Sequence, residues 1–232
     1  VQSLQTWVPS KVSTVTLAPK AVSAIEAKTF VLPRFKTVEK EYTLDQTHAV
    51  VQGFSINGQG YTTIAIPVQD NAGNYSRFIA IYDSTNQYLN SFLSVFHKTD
   101  SGTISYIGQS DNRTLTAVVK EDGTLLSATL LDEQGQHHDI SSFLRFYANQ
   151  TPSNSLASLM IRPAYADGWW SCFRQCLAAM GVPAYFITLV GAACAVVCGL
   201  TAGAGCVICI LAVLAAYGSI GVTCAEHCWG LF

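Results

Sequence analysis

Through the middle of the chain, apolar and polar residues alternate with a period of two. Ile64, Ile66 and Val68 fall on one side of the run 61–68, the spacing of a strand with one buried face. Similar runs cover 48–56, 75–82, 88–97, 103–108, 114–120 and 124–131. Turn residues separate them: Asn57-Gly58-Gln59-Gly60, residues 70–74 with Gly73, and Glu121-Asp122-Gly123, where Asp-Gly supplies the positive φ of a tight hairpin. Residues 139–147 fit a last helix or a last strand. Short strands at close spacing predict an antiparallel meander or a small sandwich. Residues 1–46 lack the alternation. Pro9, Pro19 and Pro33 punctuate them, and 21–28 reads as a short helix within a loosely ordered arm.

Beyond residue 166 the period changes. Cysteines come in pairs three or four apart: Cys172 and Cys176, Cys194 and Cys198, Cys206 and Cys209, Cys224 and Cys228. That spacing puts both members of a pair on one helix face. Four short helices are expected, with Gly181-Val182-Pro183 and Gly203-Ala204-Gly205 as turns.

Composition sharpens the break. Residues 1–166 hold no cysteine, whereas 167–232 hold all eight and only three charged residues, Asp167, Arg174 and Glu226. From Leu177 through Ala225 no side chain is charged. The reading is α+β in two domains: an arm at 1–46, a β-rich domain at 47–149, a cleavable linker at 150–166, and a small disulfide-stapled helical module at 167–232. A net charge of −2 and 12% charged residues argue against a nucleic-acid partner, which needs a basic face.

Candidate chemistry is sparse. The chain has no glycine-rich phosphate loop, nucleophile elbow or zinc signature, and no catalytic set is assigned; the protein reads as a non-enzyme with no cofactor. His137-His138-Asp139 follows Gly135 and fits a solvated turn; on a strand, adjacent histidines would point to opposite faces and could not both ligate one metal without a bend. His48 and His97 are isolated. A metal site fits the cysteines poorly, because two thiolate-rich centres would concentrate negative charge beside a single arginine.

An even number of cysteines in one short segment fits a disulfide framework in an exported protein. Val1 is not an initiator Met, which fits a trimmed, secreted chain, extracellular or held at a cell surface. Two cysteines on one helix face bond poorly to each other, so each pair is expected to bond to a facing helix. The nested arrangement joins Cys172 to Cys228 and Cys176 to Cys224 outside, and Cys194 to Cys209 and Cys198 to Cys206 inside, one of about 105 pairings that eight cysteines allow.

A module of 66 residues has too much surface to hide this much apolar sequence. It is expected to enter bilayers or bind an apolar partner, with Trp169, Trp170, Phe173 and Trp229 as interfacial contacts. Residues 150–166 are rich in Ser, Asn and Pro, and Ala164-Tyr165-Ala166 precedes Asp167 as a small-x-small triplet does at a signal-peptidase site. Cleavage is therefore expected between Ala166 and Asp167.

The apolar C-terminal module with pairs at Cys172/Cys176, Cys194/Cys198, Cys206/Cys209 and Cys224/Cys228 resembles the cysteine-rich microhalocins and their halocin-like bacterial relatives. The resemblance covers residues 167–232. It implies an exported precursor whose C-terminal peptide is released and is toxic to related cells, with the target-cell membrane as partner. It also implies that the N-terminal part binds the peptide, an intramolecular association of residues 1–166 with 167–232 that confers immunity. The alternative is a surface-displayed β-domain held by a disulfide-stabilised hydrophobic membrane anchor, with no cleavage.

Overall fold

The computed structural model describes residues 12–56, 58–70, 72, 75–110, 113–142, 145, 166–189, 215 and 217–229. Nine strands form one antiparallel sheet in which every strand pairs with its sequence neighbours. They are β1 (Val12–Val15), β2 (Val50–Ile56), β3 (Gln59–Pro67), β4 (Arg77–Asp83), β5 (Tyr88–Lys98), β6 (Thr103–Gln109), β7 (Thr114–Lys120), β8 (Leu125–Leu131) and β9 (His137–Asp139).

The meander follows from its turns. Four hairpins, β4–β5, β5–β6, β7–β8 and β8–β9, close with one hydrogen-bond pattern. In the β7–β8 turn, Lys120 N donates to Thr124 O and Gly123 N donates to Lys120 O, both at 2.9 Å. The fourth residue of each turn sits at positive φ: Asn86 at 60°, Gly102 at 75°, Gly123 at 86° and Gly135 at 76°. A type I turn followed by a left-handed residue returns the chain antiparallel at once, so consecutive strands have to pair. Asp83 and Asp132 reinforce two of the turns by accepting backbone N–H bonds two and four residues ahead.

Burial along the strands reports what lies on each face. β3 and β4 carry unbroken runs of five buried residues, as strands covered on both sides do. β7 alternates between buried and open positions, with Leu115, Ala117 and Val119 inside and Thr116 and Lys120 outside. One face of β3–β5 is covered by α1 (Pro19–Phe30) and α2 (Pro33–Glu41). Ile25, Phe35 and Val38 pack there against Ile64, Phe78 and Leu93. Thr29 Oγ1, which donates to Ile25 O, lies 2.8 Å from the buried Tyr82 hydroxyl.

The opposite face spans β2 to β8 and is covered by the C-terminal helices, α3 (Ala166–Ala179) and α4 (Ser219–Trp229), with residues 184–189 also helical. Phe54, Phe96 and Leu115 share one continuous core with Phe173, Phe186 and Val222. The break in composition at residue 166 is thus not a break in packing. The layers are helices, sheet, helices.

Several expectations change. The arm holds a strand and two helices. Pro33 does not stop structure there; it is the first residue of α2, where a missing N–H costs nothing and the fixed φ suits the helix. His137-His138-Asp139 is a short exposed edge strand paired with β8, not a turn. β4 begins at Arg77 rather than residue 75, because Asp70 folds the preceding loop back by accepting from Ala72 N and Ser76 N. Within 139–147, Ser141, Ser142 and Arg145 are helical.

Candidate functional site

The chain concentrates unusual chemistry where the C-terminal helices meet the sheet. On α3 the pairs Cys172/Cys176 and Phe173/Leu177 are each one turn apart, so adjoining stripes carry the sulfurs and the apolar contacts. Phe173 and Leu177 are buried. On α4, Val222, Cys224, Ala225 and Cys228 are buried, while Thr223, Glu226 and His227 face out.

Cys172 bonds to Cys228 and Cys176 to Cys224, with Cα–Cα distances of 5.7 and 5.5 Å. One turn forward on α3 matches one turn back on α4, so the helices run antiparallel. These are the two outer bridges of the nested scheme. They close sequence separations of 56 and 48 residues. The chain-entropy model assigns a loop of that length about 4 kcal/mol. Cys194, Cys198, Cys206 and Cys209 lie outside the described residues.

α3 ends in a motif that aims the next segment. Gly181, at φ 83°, donates to Ala178 O, and Val182 N donates to Leu177 O, both at 3.0 Å. This is a Schellman cap, and Val182 and Leu177 are buried together as that motif favours. Pro183 then starts a new direction, and residues 184–189 cross the end of the sheet where the β3–β4 loop and the β7–β8 turn lie.

Phe186 is the centre of this crossing. It is fully buried, and its ring centroid lies 4.6 Å from Tyr75, 4.8 Å from Phe96 and 4.8 Å from Tyr217. Tyr75 belongs to the β3–β4 loop, Phe96 to β5, and Tyr217 precedes α4. Tyr217 also meets Phe173 of α3 at 6.4 Å. Phe186 and Tyr217 together therefore run from the sheet to Phe173 of α3 and to the start of α4. Beside it, the Tyr185 hydroxyl donates to Ala72 O. Burial pushes the Tyr185 hydroxyl up to about 12, with Tyr75 and Asp70 adding to the shift. Burial raises Tyr217 and Tyr106 as well.

Gly123 completes the seat. A Cβ there would come within 2.8 Å of Thr188 Oγ1 and 3.0 Å of Ala184 O, so the turn touches the helix backbone directly. The glycine is required twice, once for its φ and once for its missing side chain.

The expected site residues divide accordingly. Phe173 is not available to a membrane in this fold. It lies on the stripe beside the cysteines, fully buried in the core that the helices share with the sheet. Trp169 and Trp170 fall among the first five residues of α3 and Trp229 is the last of α4. The antiparallel pairing brings those helix ends together; the Trp side chains are outside the described set. Ala166 and Asp167 are the first two residues of α3, so the bond between them is in the opening turn, whose N–H groups have no intrahelical partners. Most of the linker 150–166 lies outside the described residues. Sequence reasoning missed Tyr75, Phe96, Tyr185 and Phe186.

Among the described residues no cluster of three metal-ligating side chains occurs, and no helix is long and apolar enough to cross a membrane. Two exposed histidines make local carboxylate pairs, His138 with Asp132 at 2.7 Å and His48 with Asp45 at 2.6 Å. A surface depression of about 370 Å³ at the end of α2 is lined by the consecutive residues 39–44. It is a fold in one segment, with no convergent chemistry. The arrangement with most physical content is the seat of the C-terminal helices. The chain matches no known protein family, no curated protein and no solved structure.

Proposed function

We propose that the protein is a secreted bacteriocin-like precursor. The C-terminal cysteine-rich segment is its active part and is released by cleavage near Ala166–Asp167. The N-terminal sheet shields that segment until then. Once released, the segment enters a target-cell membrane and makes it leak. The observation that carries this reading is the seat of the helices: an almost uncharged, disulfide-linked segment turns its apolar stripe onto a sheet whose facing side chains are also apolar. Separation would bare Phe173, Leu177 and Phe186, a surface that water disfavours and a bilayer accepts. Undescribed residues join the two parts between 146 and 165, so cutting there would leave α3 attached to its disulfide partner.

The test is dye release from vesicles of phosphatidylglycerol and phosphatidylethanolamine. Oxidised full-length protein would carry an inserted protease site in residues 150–160. The intact protein should release little dye, and cutting should start release. If the freed segment is shown to be present and the vesicles stay sealed, the reading fails. Binding of the uncut chain to vesicles without leakage would point instead to a hydrophobic anchor displaying the sheet.

A further inference from the structure

We propose that the sheet is the template that sets cystine pairing in the C-terminal helices, and that Phe186 couples docking to pairing. The inference rests on the reading of the C-terminal segment as apolar cargo of the sheet. It adds a function for the sheet that comes before any release.

The argument starts from what the segment lacks. No side chain from Leu177 through Ala225 is charged, so no ion pair can tell one helix face from another. Aliphatic surfaces of this kind associate in many registers at similar free energy. Eight cysteines admit about 105 pairings, of which only about 3 contain both outer bridges. A segment collapsing by itself has little to select the observed pair.

The sheet supplies selection. Phe186 packs on two rings that the sheet and its β3–β4 loop supply, Tyr75 and Phe96, and on Tyr217 ahead of α4. Tyr185 pins the same segment to Ala72 O, and Gly123 admits the helix backbone at contact distance. Seating residues 184–189 there fixes α3, because the Schellman cap joins the two helices through a defined turn. Seating Tyr217 against Phe186 and Phe173 fixes the start of α4. Cys172 and Cys176 then face Cys228 and Cys224 at bonding distance.

The covalent step needs an external disulfide, for which oxidised glutathione serves. One cysteine thiolate attacks a glutathione sulfur and expels a glutathione thiolate. The partner cysteine thiolate then attacks the mixed disulfide and expels the second. Two cysteine thiols and one glutathione disulfide become one protein disulfide and two glutathione thiols, which carry the two protons and the two electrons.

The experiment is oxidative refolding of the reduced, denatured full chain in glutathione buffer. Alkylation, digestion and mass spectrometry then give the fraction of molecules holding both Cys172–Cys228 and Cys176–Cys224. Three chains are compared: wild type, Phe186→Ala and Phe35→Ala. Phe35 is equally buried but belongs to α2 and packs on Phe78 at the other face of the sheet, so it controls for lost stability. Wild type should pair natively in most molecules. Phe35→Ala should stay within about twofold of it, and Phe186→Ala should fall several-fold toward the random level of about 1 in 35. Native pairing in Phe186→Ala overturns the proposal, and so does equal scrambling in Phe35→Ala. If Phe186→Ala loses the sheet by far-ultraviolet circular dichroism, Tyr75→Ala decides by the same criterion, since Tyr75 lies in a loop. Failure of dye release with template-dependent pairing intact would remove the membrane reading and leave the template. Template-independent pairing with dye release intact would do the reverse.

Discussion

Gly123 and Gly135 allow the contact between sheet and helices to be measured by difference. Both are fourth residues of hairpin turns with the same hydrogen bonds, and both have positive φ, 86° and 76°. An Ala at either position bears the cost of a left-handed L-residue, about 1 kcal/mol. They differ in surroundings. A Cβ on Gly135 meets nothing within 4 Å, whereas one on Gly123 reaches Ala184 O at 3.0 Å and the Ala184 carbonyl carbon at 3.1 Å. Thr188 can rotate away, but the Ala184 backbone cannot move without shifting the helix. Overpacking of this kind adds about 1–3 kcal/mol. Gly135→Ala should therefore cost about 1 kcal/mol and Gly123→Ala about 2–4 kcal/mol. For a chain of this size that is a fall in Tm of about 3 °C against about 10 °C. Urea unfolding of the oxidised proteins, followed by tyrosine fluorescence, gives both values from the midpoints. Equal losses would mean that the β7–β8 turn does not touch residues 184–189, and the seat described above would be wrong.

Because Thr29 donates to Ile25 O, Tyr82 must donate to Thr29; Thr29→Val should cost about 1–3 kcal/mol by orphaning the Tyr82 hydroxyl, and Tyr82→Phe should cost less in the same denaturation assay. Tyr185 is raised to about 12, so its contribution is intact below the unfolded value near 10 and is lost as pH rises through the folded value. Absorbance of tyrosinate at 295 nm should show delayed titration together with undocking; a full, reversible titration near pH 10 in the folded protein would contradict burial at the seat. Hydrogen bonds from Thr85 and from the Gln136 backbone hold Asp83 and Asp132, respectively, below the usual carboxylate range. Their support is present above the unfolded value of about 4 and is lost as pH falls through the folded values. The urea midpoint of Asp132→Ala should accordingly vary less between pH 5 and pH 2 than that of wild type.

The strands of the meander were legible because their signals are local. Alternation marks a half-buried strand within seven residues, and Asp122-Gly123 marks its own turn. The outer cystine pairing was legible for the same reason, since spacings of four put the sulfurs on one stripe of each helix. α2 was hidden because proline can open a helix as well as end one, and β9 because three residues carry no period. The aromatic seat was illegible for a physical reason. Phe186 meets Tyr75 and Phe96, which are far away in sequence, and one phenylalanine in an apolar run carries no sign of its partner. Phe173 lies one turn from Leu177 on the stripe beside the cysteines, and that both are covered by the sheet before any release could not be read from the helix alone. Gly123 shows the limit from the other direction: its φ could be read from Asp-Gly, but the helix that needs its missing Cβ could not.

The tight turns also bear on the order of events during synthesis. From β2 onward, each strand of the meander can find its neighbour soon after it emerges, since the loops to be closed there are short. The helices that cover the wide face are made last, and Tyr185 reaches back 113 residues to Ala72. A growing chain therefore passes through a stage in which Phe54, Phe96 and Leu115 have been made and their cover has not. A ribosome stalled near residue 150 would hold a nearly finished sheet with a bare apolar face. Such half-made chains, more than the completed protein, are the species expected to need a chaperone.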